Sequence, residues 1–409
     1  MQYKLLVFFF SLMLLFPATF QAIRGVLLLL LVIASLKIAQ RGLWVGKGAV
    51  RWWIFTLLVS IISMFWGLAN ENPGALTTWT VYVLWPLLYL YFAGCNNKLK
   101  LIEGLERTII NVGLYVLVIN IIFLFNAGFL QIGIMNQIAE FLNYRFNVAG
   151  AYVEFNTPSQ SLIPYLLFFA TTLLLLGSQT LRIKRMKLVL IIILSFVAIL
   201  LSRRRIMWLI VLALPFVEMI FLYYYDRKSS KITKQIGKIL LISFVALGVM
   251  FIGISYFLDV EDLTSEFLSS FDFDGDASNY ERTLQSRSLH NDFLNNPILG
   301  RGQGFVSSYI RTPDKPWEYE LTYDYILGSH GIIGFGVYLF ATLWIFVKSK
   351  SIIYKSRQYI YILLPQLTGL FIFLIINETN PYMNKFDFLW ILFLPVVTIN
   401  TIERNLLKN

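Results

Sequence analysis

The chain has 409 residues, of which 57% are hydrophobic, 16% aromatic and only 14% charged, and its mean hydropathy is +0.68. This composition excludes an ordinary soluble domain, and apolar stretches of about 20 residues recur too continuously for the alternation of a β-barrel. A net charge of +11 would suit a nucleic-acid binder. Here, however, the basic residues gather in short segments between apolar runs, where they act as an orientation signal.

The expected fold is an all-α multi-spanning membrane protein of about 12 transmembrane helices. Spans are read at 4–20, 22–39, 50–69, 76–94, 105–126, 159–177, 187–202, 205–225, 237–258, 321–347, 359–377 and 386–403. Three regions result: spans one to nine over 1–258, with an outer loop at about 126–160; a large outer loop at 259–320; and the last three spans over 321–409. The first apolar run follows only Lys4, and Pro17-Ala18-Thr19-Phe20 leads straight into the second without a small-residue cleavage site. It is read as a retained span. With both termini inside, the inner segments hold 23 of the 34 Lys and Arg residues although the longest loops lie outside, so the positive-inside rule favours that orientation.

A single cysteine, Cys95, excludes an intramolecular disulfide, and two histidines, His290 and His330, leave little material for zinc. Asp272-Phe273-Asp274-Gly275-Asp276 has a misplaced glycine for a calcium loop and reads as an acidic tip. No metal and no cofactor are expected.

Candidate residues collect at the outer face. Ser202-Arg203-Arg204-Arg205 joins spans seven and eight on the side where arginine is disfavoured. The arginines either snorkel to headgroups or form an anion site, since guanidinium forks bind phosphate bidentately. The 259–320 loop carries 12 acidic residues against 5 basic ones. Within it, Ser278-x-x-Glu281 has the form of a capping box and Asn295-Asn296-Pro297 stops a helix. That places Arg282 in a first helical turn, suited to an anion, with Arg287 about 140° and His290 about 80° around from it. Arg287 is then a secondary contact and His290 a minor candidate.

Gly300-Arg301-Gly302-Gln303-Gly304 lacks the ending of a phosphate loop. Glu320 and Asp324 would share a face if a helix has begun, and a carboxylate there is either a general base or a solvated helix start. Gly328, Gly331, Gly334 and Gly336 suit close helix packing. Glu218 is an acid within a span, with no partner evident from the sequence.

Arg282, then Asn296-Pro297-Ile298-Leu299-Gly300-x-Gly302-x-Gly304-Phe305, then Gly331-Ile332-Ile333-Gly334 at a span, resemble the O-antigen polymerase and ligase superfamily. The resemblance extends to Ser202-Arg203 at a span edge and to Arg145…Gly150…Phe155-Asn156-x-Pro158 in the earlier outer loop. It covers most of the chain in architecture. It implies a bacterial inner-membrane, lipid-dependent glycosyltransferase with a GT-C-like helical bundle, its site facing the periplasm. Where the superfamily's ligases carry a histidine and an asparagine ahead of the glycine matched by Gly331, this chain has Glu320-Leu321, which points to the polymerase branch.

On that resemblance, Arg203 and Arg282 hold the diphosphate of an undecaprenyl-diphosphate-linked oligosaccharide donor. Glu320 takes a proton from the acceptor, the non-reducing end of another lipid-linked repeat unit, and the anomeric carbon inverts without metal. Read from the residues themselves, Arg204 and Arg287 are expected as second-tier substrate contacts and His290 as a minor one, and Arg145 joins them from the matched outer-loop motif. The expected partners are lipid-linked donor and acceptor, membrane lipid and a chain-length regulator protein, with no nucleic acid. A ligase acting on lipid A core and a lipid-linked oligosaccharide flippase are the alternatives.

Overall fold

A computed structural model describes residues 2–17, 19–40, 42–95, 98–142, 145–149, 152–156, 158–177, 183–202, 204–226 and 277–407, with residues 237 and 248. Ten helices among them are long and apolar enough to cross a membrane, the make-up of a multi-pass membrane protein. They are α2 (Gln21–Ala39), α3 (Lys47–Ala69), α4 (Ala75–Cys95), α5 (Leu99–Phe125), α7 (Leu162–Leu176, carried back to Ser159 by a preceding 3-10 turn), α8 (Arg185–Ser202), α9 (Arg205–Tyr225), α11 (Thr322–Lys355), α12 (Ile360–Asn377) and α13 (Phe386–Leu406). The first apolar helix, α1 (Gln2–Leu15), has 14 residues and at ~1.5 Å per residue falls short of a hydrocarbon core of about 30 Å. The span expected at 237–258 lies outside the described residues.

The helices carry large apolar side chains on their exposed faces, such as Ile23, Val26, Leu30 and Ile33 on α2. On a water-soluble protein such a stripe would be an aggregation patch, whereas lipid accommodates it. Inside α4, a π-turn at Thr80–Leu84 precedes Trp85, where Pro86 has no N–H to continue the ladder.

Further elements lie between the spans. Helix α6 (Gly133–Phe141) is followed by an antiparallel hairpin of β1 (Arg145–Ala149) and β2 (Tyr152–Asn156), with Arg145 opposite Asn156 and Ala149 opposite Tyr152. This short hairpin is a local addition to an all-α membrane protein; Phe146, Val148, Tyr152, Val153 and Phe155 are residue types that favour strands. Helix α10 (Ala277–Asn295) lies between α9 and α11 in sequence and ends where the Asn-Asn-Pro sequence stops it.

The chain divides into two compact units. One comprises Met1–Lys37, Lys98–Thr264 and Lys350–Phe373; the other comprises Ile38–Asn97, Ser265–Ser349 and Leu374–Asn409. In the first, Glu106 on α5 accepts a hydrogen bond from Gln366 on α12 at 2.8 Å, and Glu218 on α9 accepts one from Thr172 on α7 at 2.8 Å. Thr172 in turn meets Thr368 at 2.7 Å. Glu218 therefore has the partner that the sequence did not reveal. In the second unit, α11 is interrupted at Gly331, where φ is +64° and ψ −171°.

Candidate functional site

In the second unit, α10 turns one face toward the segment that leads into α11. Arg282, Gln285, Ser286 and Leu289 recur at helical spacing on that face. Leu289 packs into a buried cluster with Phe305, Tyr319, Leu321 and Tyr325. The Phe305 and Tyr325 rings stack at 5.4 Å, and Tyr319 stacks on both. The Tyr325 hydroxyl accepts the Gly304 N–H at 2.9 Å, and the Tyr319 hydroxyl accepts the Ser307 N–H at 2.5 Å. Burial pushes the Tyr319 phenol up to about 12, so it stays protonated at neutral pH.

Five polar contacts accompany this aromatic cluster. The buried Gln285 Oε1 accepts the backbone N–H groups of Glu320 and Leu321 at 2.8 and 3.0 Å. Ser286 donates to Asp324 at 2.8 Å. Arg282 Nε meets Glu320 Oε2 at 3.3 Å, and Arg311 Nη1 meets Glu320 Oε1. One carboxylate is thereby held between two guanidinium groups. Both arginine side chains remain about a third exposed, at 35% and 36%, which leaves donors open to a ligand. Nearby, Asp292 pairs with Arg301 at 2.6 Å and accepts from Ser307.

The glycine-rich segment is a structural wedge. Arg301 N–H donates to Gly328 O at 2.8 Å, Gly302 N–H to Ser329 O at 2.9 Å and Gln303 N–H to Ser63 O at 3.0 Å. The Asn72 amide donates to the carbonyls of Arg301, Gly302 and Gln303. The segment thus ties α3 and the α3–α4 turn to the break in α11. Beneath it, the buried Gln303 amide contacts Ser60 O and His330 Nε2, both at 3.2 Å. His330 Nδ1 lies 2.7 Å from Ser329 Oγ, which itself donates to Tyr325 O at 2.7 Å. This chain of donors selects the histidine tautomer with its proton on Nδ1.

The predicted site residues do not all assemble. Arg282 and Glu320 are brought together. Arg282 is the sixth residue of α10, however, and Ser278 lies inside the helix rather than capping it; the capping box and the first-turn dipole argument are corrected, because the dipole effect fades within one turn. Arg287 and His290 are exposed on α10, in keeping with their angular separation from Arg282. Glu320 precedes α11, which starts at Thr322, so Glu320 and Asp324 are aligned by α10 rather than by a helix of their own. Glu318 pairs with Lys315 at 2.9 Å in an exposed bridge. Gly336 has open space beside its Cα and does not serve close packing.

Arg203 and the Asp272–Asp276 tip lie outside the described residues. Arg145, described by its backbone alone, and the buried Arg204 belong to the first unit. Arg204 flanks the start of α9, and its N–H meets Ser202 Oγ at 3.4 Å.

Among the residues of this site that escaped the sequence reading are Arg311 and Glu378. Arg311 carries no motif of its own and is recruited from a loop. Glu378 follows α12, and its carboxylate accepts the Tyr323 N–H at 3.0 Å while its carbonyl accepts that of Thr322 at 3.2 Å. It thus satisfies two open donors at the start of α11. Burial, joined by repulsion from Asp324, pushes Glu378 up to about 7 against the opposing hydrogen bond from Tyr323.

The folded chain consequently holds this proton more tightly than the unfolded chain, so stability falls as pH rises from the ordinary carboxylate range toward 7. In Glu378→Gln that component of the slope is expected to vanish, and the variant should melt a few degrees above wild type at pH 8. Parallel melting curves for the two proteins across pH 5–8 would count against the assignment.

No protein-family model matches the chain and no curated protein matches its sequence, so the functional reading rests on the residues and geometry described above.

Proposed function

We propose that the chain is a lipid-dependent glycosyltransferase of the GT-C-like type, an O-antigen polymerase that joins repeat units carried on undecaprenyl diphosphate. In this reading it lies in a bacterial inner membrane with both termini cytoplasmic and α10 on the periplasmic side. The supporting observation is the partly exposed arrangement in which Glu320 bridges Arg282 and Arg311. Two guanidinium groups spaced to share one carboxylate suit a diphosphate, whose negative charge grows as the anomeric bond to the leaving group breaks.

The same arrangement couples donor binding to base activation. In the free protein each Glu320 oxygen is engaged by an arginine. A diphosphate that takes over those guanidinium donors frees the carboxylate, which Gln285 still holds through the backbone N–H of Glu320. Glu320 then accepts the proton of the acceptor hydroxyl as that oxygen attacks the anomeric carbon, with inversion, and the lipid diphosphate departs. Arg203 remains a proposed donor contact from the sequence resemblance, with Arg145, Arg204, Arg287 and His290 as secondary ones.

The test is to incubate the purified chain with undecaprenyl-diphosphate-linked repeat units, without nucleotide sugar, and to resolve the glycans by length. A ladder that Glu320→Gln suppresses, while labelled donor still binds, is the expected result. Extension by Glu320→Gln at the wild-type rate would remove Glu320 from the chemistry. Transfer that needs added lipid A core would make the protein a ligase. Movement of the lipid-linked unit across vesicles without any new glycosidic bond would make it a flippase.

A further inference from the structure

The first unit carries a groove of about 620 Å³ between α5 and α8, remote in sequence from the residues of the proposed chemistry. Its walls follow helical spacing. On α5 they run Arg107, Asn111, Leu114; on the approach to α8 and along it they run Lys184, Lys187, Leu190. Each wall therefore passes from charged to apolar over about two helical turns, and both charged ends lie where the positive-inside rule places the cytoplasmic face. Lys187 Nζ donates to Asn111 Oδ1 at 2.5 Å, fixing one ammonium at the rim. Among the described residues, Glu103 supplies an acidic neighbour, meeting Arg107 at 3.7 Å. Among the described residues, the three lining cations Arg107, Lys184 and Lys187 outnumber this carboxylate and leave the rim positive.

An occupant must match both ends. A small soluble anion would leave Leu190, 44% exposed, and the neighbouring Met186, 78% exposed, uncovered along the apolar wall. A zwitterionic lipid would bring a second positive charge to a cationic rim. We infer that the groove binds one anionic phospholipid of the cytoplasmic leaflet, its phosphate against Arg107, Lys184 and Lys187 and its acyl chains along Leu114 and Leu190. The volume lies within the range of about 300–1,000 Å³ common to ligand sites, and basic pockets between helices on this side of a membrane suit anionic headgroups. The inference stands independently of the glycosyltransferase reading.

Native mass spectrometry of the full chain in detergent tests it, with dioleoylphosphatidylglycerol titrated against dioleoylphosphatidylcholine. One phosphatidylglycerol is expected to bind at least about tenfold more tightly than the zwitterionic lipid, a preference of about 1.4 kcal/mol. R107Q/K184Q/K187Q should lose that preference. K98Q/K100Q/K355Q, which removes equal charge from exposed positions elsewhere in the same unit, should keep it. Leu190→Gln should weaken lipid binding with the rim intact, a reading that survives if the triple variant folds poorly. Equal losses in the two triple variants, no preference in wild type, or displacement of the lipid by an equal concentration of glycerol 3-phosphate would each overturn the inference.

Discussion

If the chain extends lipid-linked glycans as proposed, Arg311→Ala should slow that extension by roughly 10²–10³-fold, the loss typical of removing one preorganised donor from a developing anion. Arg282→Ala should fall in the same range. The decline should appear in kcat more than in KM, because the charge on the leaving diphosphate is greatest in the transition state. Both guanidinium groups engage one carboxylate, so the two losses should not add, and the double variant should be little worse than either single one. Arg→Lys at either position keeps the charge but loses the fork, and intermediate rates are expected.

Folding provides the control for this series. Half-exposed ion pairs contribute only about 0–1 kcal/mol, so the variants should melt close to wild type. Full activity in Arg311→Ala would show that Glu320 needs no second arginine and would leave Arg282 alone at the site. A general loss of stability would instead assign the cluster to the α10–α11 junction.

The legible part of the fold was the part governed by local composition. Spans such as Leu99–Phe125 announce themselves by hydropathy, and α10 by a polar helical stretch ending at Asn-Asn-Pro. Helical angle alone separated Arg282 from Arg287, and the structure buries one side of α10 while exposing the other. Contacts across long intervals were not legible. Arg311 becomes relevant only because the chain returns Glu320 to Arg282, which lies 38 positions earlier, and Glu378 because α12 brings it to the start of α11. The pairing of Glu106 with Gln366 spans 260 positions, and nothing in the local sequence of either residue indicates the other. The β1–β2 hairpin was missed for a different reason: an expectation built on spans had no place for strands in an outer loop.

The same long-range logic makes the glycine-rich wedge the most sensitive stretch outside the arginine cluster. Gly302 has φ +86° and Gly304 φ +71°, and a Cβ on either would meet backbone rather than a yielding side chain: Gly67 in the first case, Gly74 and Ala75 in the second. Alanine at Gly302 therefore combines a left-handed backbone penalty of about 1–2 kcal/mol with overpacking of about 1–3 kcal/mol. The resulting loss of roughly 2–5 kcal/mol is comparable with the net stability of many domains. Gly302→Ala should consequently yield little monodisperse protein by fluorescence-detected size-exclusion chromatography, with or without substrate. Gly336→Ala, on the same unit but facing open space, should behave as wild type. The contrast separates glycine as a steric requirement from glycine as a permissive helix residue, and a monodisperse Gly302→Ala with unchanged melting would mean that α3 and the break in α11 do not depend on the wedge between them.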